Sequence, residues 1–179
     1  MSSELGQLPR VLVIDDSRVV RAMLIKQLRG HFDYREESDG EAGWQAIVLD
    51  HSVRAVITDS AMPVLDGYGL LARIRNSRLA RIRDIPVIMI SGDEEEAARE
   101  RARALGVSDF INKSIGANEL LARLESLIRL ASAQQELDRS RDRQVSNADT
   151  GLFTRTYIEL QAAQALSHAS RHASEASVM

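Results

Sequence analysis

The chain has 179 residues, of which 44% are hydrophobic, and it carries 23 basic and 26 acidic side chains for a formal net charge of -3. A chain of this length builds one domain of about 100–150 residues plus an appendage. The near balance of charge gives no electrostatic reason to expect nucleic acid or an anionic membrane as a partner. The sequence contains no cysteine, which excludes disulfides and thiol chemistry.

The N-terminal segment, residues 1–9, has no basic flank and no apolar core of the kind that a secretory leader carries. No apolar run anywhere in the chain approaches the ~18 residues of a membrane span. We therefore expect a soluble cytoplasmic protein.

Four short apolar runs, rich in β-branched residues, predict buried strands at residues 11–14, 53–58, 86–90 and 109–111. A further strand at residues 32–38 has a poor composition and is the weakest prediction of this set. Helical patterns separate the runs, at residues 18–29, 40–49, 68–75, 93–105 and from 117 onward. This alternation indicates a parallel sheet with helices on its faces.

Charged residues follow three of these runs: Asp15 and Asp16 the first, Asp59 the run at 53–58, and Lys113 the last. Because parallel strands end at one edge of a sheet, we expect these side chains to lie close together. Three carboxylates suit a hard cation such as magnesium. Lys113 adds a compact positive charge, and Ser91 adds a hydroxyl that can donate to a phosphoryl oxygen. An outward-facing carboxylate could then act as the nucleophile in phosphoryl transfer, without histidine or cysteine.

The motifs around these residues resemble the receiver domain of two-component response regulators over residues 10–130. The matching stretches are VLVIDDS at 11–17, ITDSAMPVLDG at 57–67, VIMIS at 87–91 and FINK at 110–113. Four motifs occur in order at the right spacings, so the resemblance is specific. It implies a flavodoxin-like α/β fold with a five-stranded parallel sheet of strand order 2-1-3-4-5.

The resemblance also implies roles for the acidic residues. Asp59 would be the phosphoacceptor, and Asp16 and Asp59 would bind Mg²⁺ together with the backbone carbonyl of Ala61. Asp15 would act on the metal largely through water. A sensor histidine kinase or a phosphotransfer protein would supply the phosphate.

Lys113 and Ser91 complete the implied catalytic set, and Ser91 with Phe110 would form the pair that switches the domain. The sequence departs from the family after the lysine, where Ser114 replaces a proline that usually follows a cis bond. A cis bond before a non-proline residue costs about 2.5–4 kcal/mol, so the shape of this loop stays open. Taken singly, Asp16 reads as an ordinary helix cap and Phe110 as an ordinary core residue.

The last predicted helix has no stop signal, so the fold is expected to carry an extended C-terminal helix. Residues 131–146 lack glycine and proline and mix acids with arginines, a pattern typical of a solvated helical linker. A weak parallel coiled coil is predicted, with a lone solvated helix as the alternative, from the spacing of Leu127, Leu130, Leu137 and Gln144. We expect a homodimer through the face of the fourth and fifth helices and this linker.

Residues 147–172, which begin NADTGLFTRTY, resemble the opening of a diguanylate cyclase (GGDEF) domain. Thr154 stands where asparagine is usual, whereas the positions that match are Asp149, Thr150, Gly151, Leu152 and Arg155. The chain stops before the strands and signature loop of such a domain, so it is expected to make no cyclic dinucleotide itself. The alternative is a disordered tail rich in alanine and serine over residues 162–177.

Two other functions stay open from the sequence. A haloacid-dehalogenase-like phosphatase also uses an aspartate nucleophile with magnesium, but it needs two acids at i, i+2, a spacing that Asp15 and Asp16 lack. A phosphorylation-independent interaction module is the second alternative. The expected organisation is an N-terminal tail (1–9), a receiver (10–130), a helical linker (131–146) and a truncated cyclase start or tail (147–179).

Overall fold

A computed structural model describes residues 8–92 and 96–145, with side chains described as far as residue 141. The elements in chain order are β1 (Arg10–Ile14), α1 (Arg18–Leu28), β2 (Asp33–Glu37), α2 (Gly40–Leu49), β3 (Val53–Asp59), α3 (Gly67–Arg75), α4 (Ala80–Arg83), β4 (Val87–Ser91), α5 (Glu96–Ala104), β5 (Asp109–Asn112) and α6 (Ala117–Val145). All five strands are parallel, in the order β2-β1-β3-β4-β5. The predicted flavodoxin-like α/β fold is confirmed.

Helices cover both faces of the sheet. On one face, Leu12 and Met89 pack with residues of α2, α3, α4 and α5. On the other face, Val13 and Ile88 pack with residues of α1 and α6. A strand that is buried on both sides needs apolar residues at successive positions. This is why β1, β3 and β4 read as continuous apolar runs rather than as alternating ones.

β2 forms although its composition is poor for a strand. It lies at the edge of the sheet and pairs with β1 alone, in a register that sets Val13 beside Glu36. Charged side chains are common on edge strands, where they discourage pairing with other chains. An ion pair also holds this strand to β1, because Arg10 lies 2.6 Å from Asp33. A second ion pair, between Arg35 and Glu37 at 2.8 Å, lies within β2.

The short helix α4 (Ala80–Arg83) was not predicted from the sequence. Ile82 anchors it in the core at 1% exposure. Arg81 donates hydrogen bonds of 3.0 and 2.8 Å to the carbonyls of Ile47 and Val48. Those carbonyls belong to the last turn of α2, where a helix leaves its acceptors without partners of its own. The segment is therefore held by contacts to backbone atoms, which leave no periodic signal in the sequence.

α6 runs from Ala117 to Val145, as the lack of a stop signal suggested. The described part of the chain divides into two units, with the boundary after Ala131. Leu130 and Leu137, two positions of the predicted coiled-coil seam, are 65% and 57% exposed. The predicted cyclase start at 147–179 lies outside the described residues. Across residues 8–92 and 96–145, no helix has the length and hydrophobicity needed to cross a membrane.

Candidate functional site

Asp15 and Asp16 lie in the turn between β1 and α1. Asp15 is fully buried, and its Oδ1 accepts a hydrogen bond of 2.8 Å from the backbone N–H of Ser17. Ser17 caps α1 through its hydroxyl, which accepts from the Val20 N–H. Asp16, in contrast, is exposed to solvent. The two adjacent acids therefore meet different environments at the carboxyl edge of the sheet.

Asp59 is the last residue of β3 and is buried. The loop that follows Asp59 is closed by a backbone hydrogen bond, in which the Gly67 N–H donates to the Ser60 carbonyl at 3.2 Å. Asp66 caps α3 by accepting from the Gly69 N–H at 2.7 Å. A Cβ atom at position 67 would collide with the backbone carbonyl of Asp59. The Asp-Gly pair of the sequence motif is thus explained by a cap and a close backbone approach, which together fix Asp59.

Lys113 follows β5 and bridges two of the acids. Its Nζ lies 2.9 Å from Asp59 Oδ2 and 3.2 Å from Asp15 Oδ2. The contact to Asp15 is an ion pair without hydrogen-bond geometry, since Asp15 Oδ2 has no hydrogen-bond partner. The Lys113 N–H also donates to the Ser91 carbonyl at 3.0 Å, which ties the ends of β4 and β5 together. The predicted meeting of the acids and the lysine at one edge is therefore observed.

The chain forms a small hydrogen-bonded turn around Lys113, between Asn112 and Ser114. Every peptide bond in the described part of the chain is trans, the Lys113–Ser114 bond included. The N–H and the hydroxyl of Ser114 both donate to Asn112 Oδ1, each at 2.8 Å. This small turn takes the place of the family's proline, and Lys113 still reaches both carboxylates.

Burial and charge act against each other on the two ionisable groups at the centre of the site. Burial raises the pKa of the Asp59 carboxyl, and Lys113 only partly offsets this rise, while the charge of Asp15 adds to it. Burial lowers the pKa of Lys113, but the hydrogen bond to Asp59 and the charges of Asp59 and Asp15 outweigh it, so the net shift is upward. Lys113 is therefore a stable cation between two acids whose negative charges are costly to bury.

The donor set suits a hard divalent cation. One carboxylate oxygen from each of Asp15, Asp16 and Asp59 lies within 4.8 Å of the others. Ligands 2.0–2.1 Å from one magnesium ion are about 3–4 Å apart, so modest side-chain rotations would bring these oxygens into range. Ala61, whose carbonyl the resemblance implies as a further ligand, lies in the exposed loop two residues after Asp59. The side chains present thus fit a magnesium ion.

The predicted switch residues occupy neighbouring strands. Ser91 is buried at the end of β4, directly after Ile90, which pairs in register with Asp59. Phe110 is half-buried in β5 and packs against the core on the side of α5. The Arg99 guanidinium of α5 lies 5.5 Å from the centre of the Phe110 ring. A rotation of Phe110 would therefore have to break a cation–π contact as well as apolar packing.

Arg21 is not among the predicted site residues, although its guanidinium reaches the turn that carries the acidic pair. Its acceptors there are backbone carbonyls, which every residue possesses. No pattern of residue types could have revealed this contact before the turn between β1 and α1 was seen.

Comparison with known proteins agrees with this geometry. The family model described as response regulator receiver domain matches residues 11–125, well over half of the chain. The chain belongs to the response regulator receiver family. Among curated proteins, it is similar to the two-component response regulator ORR3 of Oryza sativa, with 33% identity over 109 residues that cover 60% of this chain and 81% of that protein.

Two longer proteins are also similar. The transcriptional regulatory protein GltR of Pseudomonas aeruginosa is 32% identical over 126 residues, which cover 70% of this chain but 51% of GltR. A solved structure described as a "probable two-component system response regulator/GGDEF domain protein" matches with a TM-score of 0.65 and 27% identity, covering 72% of this chain and 52% of that one. This chain therefore spans about half the length of each of these two proteins.

Proposed function

We propose that this receiver accepts a phosphoryl group on Asp59 in a magnesium-dependent reaction. The observation that carries the proposal is the position of the Asp59 carboxylate, 2.9 Å from Lys113 and within 4.8 Å of the oxygens of two further acids. Of the three acids, Asp59 is the one whose backbone carbonyl is closely approached by a glycine, Gly67. Burial makes its free negative charge costly, so neutralisation by a cation is favourable.

The reaction is a transfer between two nucleophiles. A carboxylate oxygen of Asp59 attacks phosphorus as the bond from phosphorus to the donor breaks, and the donor group leaves with that bonding pair. Lys113, which contacts Asp59, lies where it can donate to an oxygen of the transferred group. A magnesium ion held by Asp16, Asp59 and the Ala61 carbonyl, with Asp15 acting through water, would neutralise charge on the phosphoryl oxygens. The product is an acyl phosphate.

The phosphodonor would be a sensor histidine kinase or a phosphotransfer protein. The output would be a shift toward a homodimer through α5, α6 and the linker part of α6, in a cytoplasmic protein. The exposed Leu130 and Leu137 support such a helix-mediated contact. The resemblance of residues 147–172 to a GGDEF opening, and the similar solved protein that is described with a GGDEF domain, favour a diguanylate cyclase as the regulated partner domain.

The test is magnesium-dependent phosphorylation by acetyl phosphate, followed by intact mass. The purified protein should gain the mass of one phosphate with magnesium and none with a chelator. A protein that never gains this mass would instead be a phosphorylation-independent interaction module.

The switch itself gives a separate prediction. If Ser91 donates to the phosphoryl group, its loop moves inward and Phe110 can rotate into the space that opens. Ser91→Ala should therefore still gain one phosphate but fail to shift the monomer–dimer equilibrium, measured by sedimentation. Ser52→Ala, an exposed serine after α2, is the matched control and should behave as wild type. An identical phosphorylation-dependent shift in wild type and Ser91→Ala would reject this route.

A further inference from the structure

Arg21 of α1 is a largely buried cation directed at the turn that carries the acidic pair. Its side chain is 12% exposed. One guanidinium nitrogen, Nη1, donates to the carbonyl of Asp15 at 2.8 Å and to that of Asp16 at 3.4 Å. A second, Nε, donates to Glu36 on β2 at 2.9 Å. A single side chain thus ties together the β1–α1 turn, the helix that follows it and the edge strand.

These contacts supply hydrogen-bond donors to the backbone carbonyls of Asp15 and Asp16. Asp15 is fully buried, so a carbonyl without a donor there would carry a desolvation cost. The neighbouring backbone bond from the Asp15 N–H to the Glu37 carbonyl is long, at 3.3 Å, and marks the last link between β1 and β2. Arg21 therefore reinforces the sheet edge where its own ladder of hydrogen bonds ends.

We propose that Arg21 is a positioning residue for magnesium binding: it holds the backbone of Asp15 and Asp16 so that both carboxylates face the cation. The proposal rests on the proposed magnesium-dependent function. This positioning effect of Arg21 opposes the direct effect of its charge, because a positive charge near a cation site weakens binding of that cation. Pairing with Glu36 and with two carbonyl dipoles reduces this repulsion, so the geometric benefit prevails.

The two effects predict opposite results, which makes the test sharp. Magnesium affinity is measured by calorimetry for wild type, Arg21→Gln, Arg21→Lys and Arg18→Gln, the last being an exposed arginine of the same helix. Positioning predicts binding about tenfold weaker in both Arg21 variants, the size typical of residues that orient metal ligands, and no change in Arg18→Gln. Lysine is included because it keeps the charge but cannot fork between Glu36 and the carbonyls.

A charge effect alone would instead make Arg21→Gln bind magnesium more tightly and leave Arg21→Lys like wild type. Either of these results overturns the proposal.

A second readout does not depend on the metal. Amide hydrogen exchange at residues 16–18 is measured in the metal-free proteins, and both Arg21 variants should exchange at least about tenfold faster there, with β4 unchanged. Unchanged exchange in the turn, or faster exchange spread evenly over all strands, would overturn the positioning role. Should wild type bind no magnesium, the proposed function fails, and the exchange data still decide what Arg21 does to the turn.

Discussion

Asp59→Asn is expected to abolish the joint binding of magnesium and beryllium fluoride, an acyl-phosphate mimic. Beryllium must bond to a carboxylate oxygen, and Asp59 is the nearer of the two acids that contact Lys113, at 2.9 Å against 3.2 Å for Asp15. An amide oxygen carries no negative charge, so it offers neither that bond nor a charged ligand to magnesium. Fluorine NMR should show a bound beryllium fluoride signal in wild type with magnesium and none in Asp59→Asn.

Asp84→Asn is the matched control, because Asp84 is an exposed aspartate that pairs with the neighbouring Arg83. It should give the wild-type signal. A bound signal that persists in Asp59→Asn, or one that disappears equally in Asp84→Asn, would remove Asp59 from its proposed role.

Lys113→Met is expected to lower the free energy of unfolding of the metal-free protein by about 2 kcal/mol at neutral pH. The substitution leaves Asp15 and Asp59 buried together with no cation between them, which is the costly way to break an ion pair. The estimate is below the range for fully buried pairs because the Lys113 side chain is 27% exposed. Urea unfolding in the presence of a chelator measures the loss.

The pH dependence follows from the direction of the Asp59 pKa. That pKa is already raised by burial in the folded protein, and losing Lys113 raises it further. A raised carboxyl pKa means that stability is complete below the ordinary value of 3.8 and is lost as pH rises through the folded-state value. The deficit of Lys113→Met relative to wild type should therefore be largest at neutral pH and shrink in acid.

Two further variants test whether the stability loss in Lys113→Met comes from the unpaired acids. Adding Asp59→Asn to Lys113→Met removes one of the stranded charges and should recover most of the loss. Lys26→Met replaces the other lysine of the chain, which is exposed on α1, and should be neutral. Equal stability of Lys113→Met and wild type at neutral pH would contradict the balance of charge described for the site.

The strands of the core could be predicted because burial on both faces leaves an unambiguous apolar run. Val11 to Ile14 and Val87 to Ile90 are all fully buried, so no polar residue interrupts either pattern. β2 was a weak prediction and α4 was not predicted, since edge position and contacts to backbone carbonyls decide these elements. Neither the position of a strand in the sheet nor a contact to a backbone carbonyl produces a recognisable pattern of residue types in the local sequence.

The meeting of Asp15, Asp16, Asp59 and Lys113 could be predicted, because parallel strands end at one edge and each of these residues lies at or just after the end of a strand. The differences in burial among these side chains could not be predicted. That Asp15 is buried while its neighbour Asp16 is exposed depends on how the turn is capped by Ser17. The contact of Arg21 with the same turn depends on the path of the backbone.

The most direct measurement is the site of phosphorylation. Protein treated with acetyl phosphate and magnesium is reduced with borohydride, which converts an acyl phosphate to an alcohol and leaves free carboxylates unchanged, and is then digested and sequenced by mass spectrometry. We expect the reduced side chain to be at position 59 and to be missing when magnesium is withheld. A stable phosphate ester on Ser60 or Ser91, or a reduced acid at another position, would contradict it.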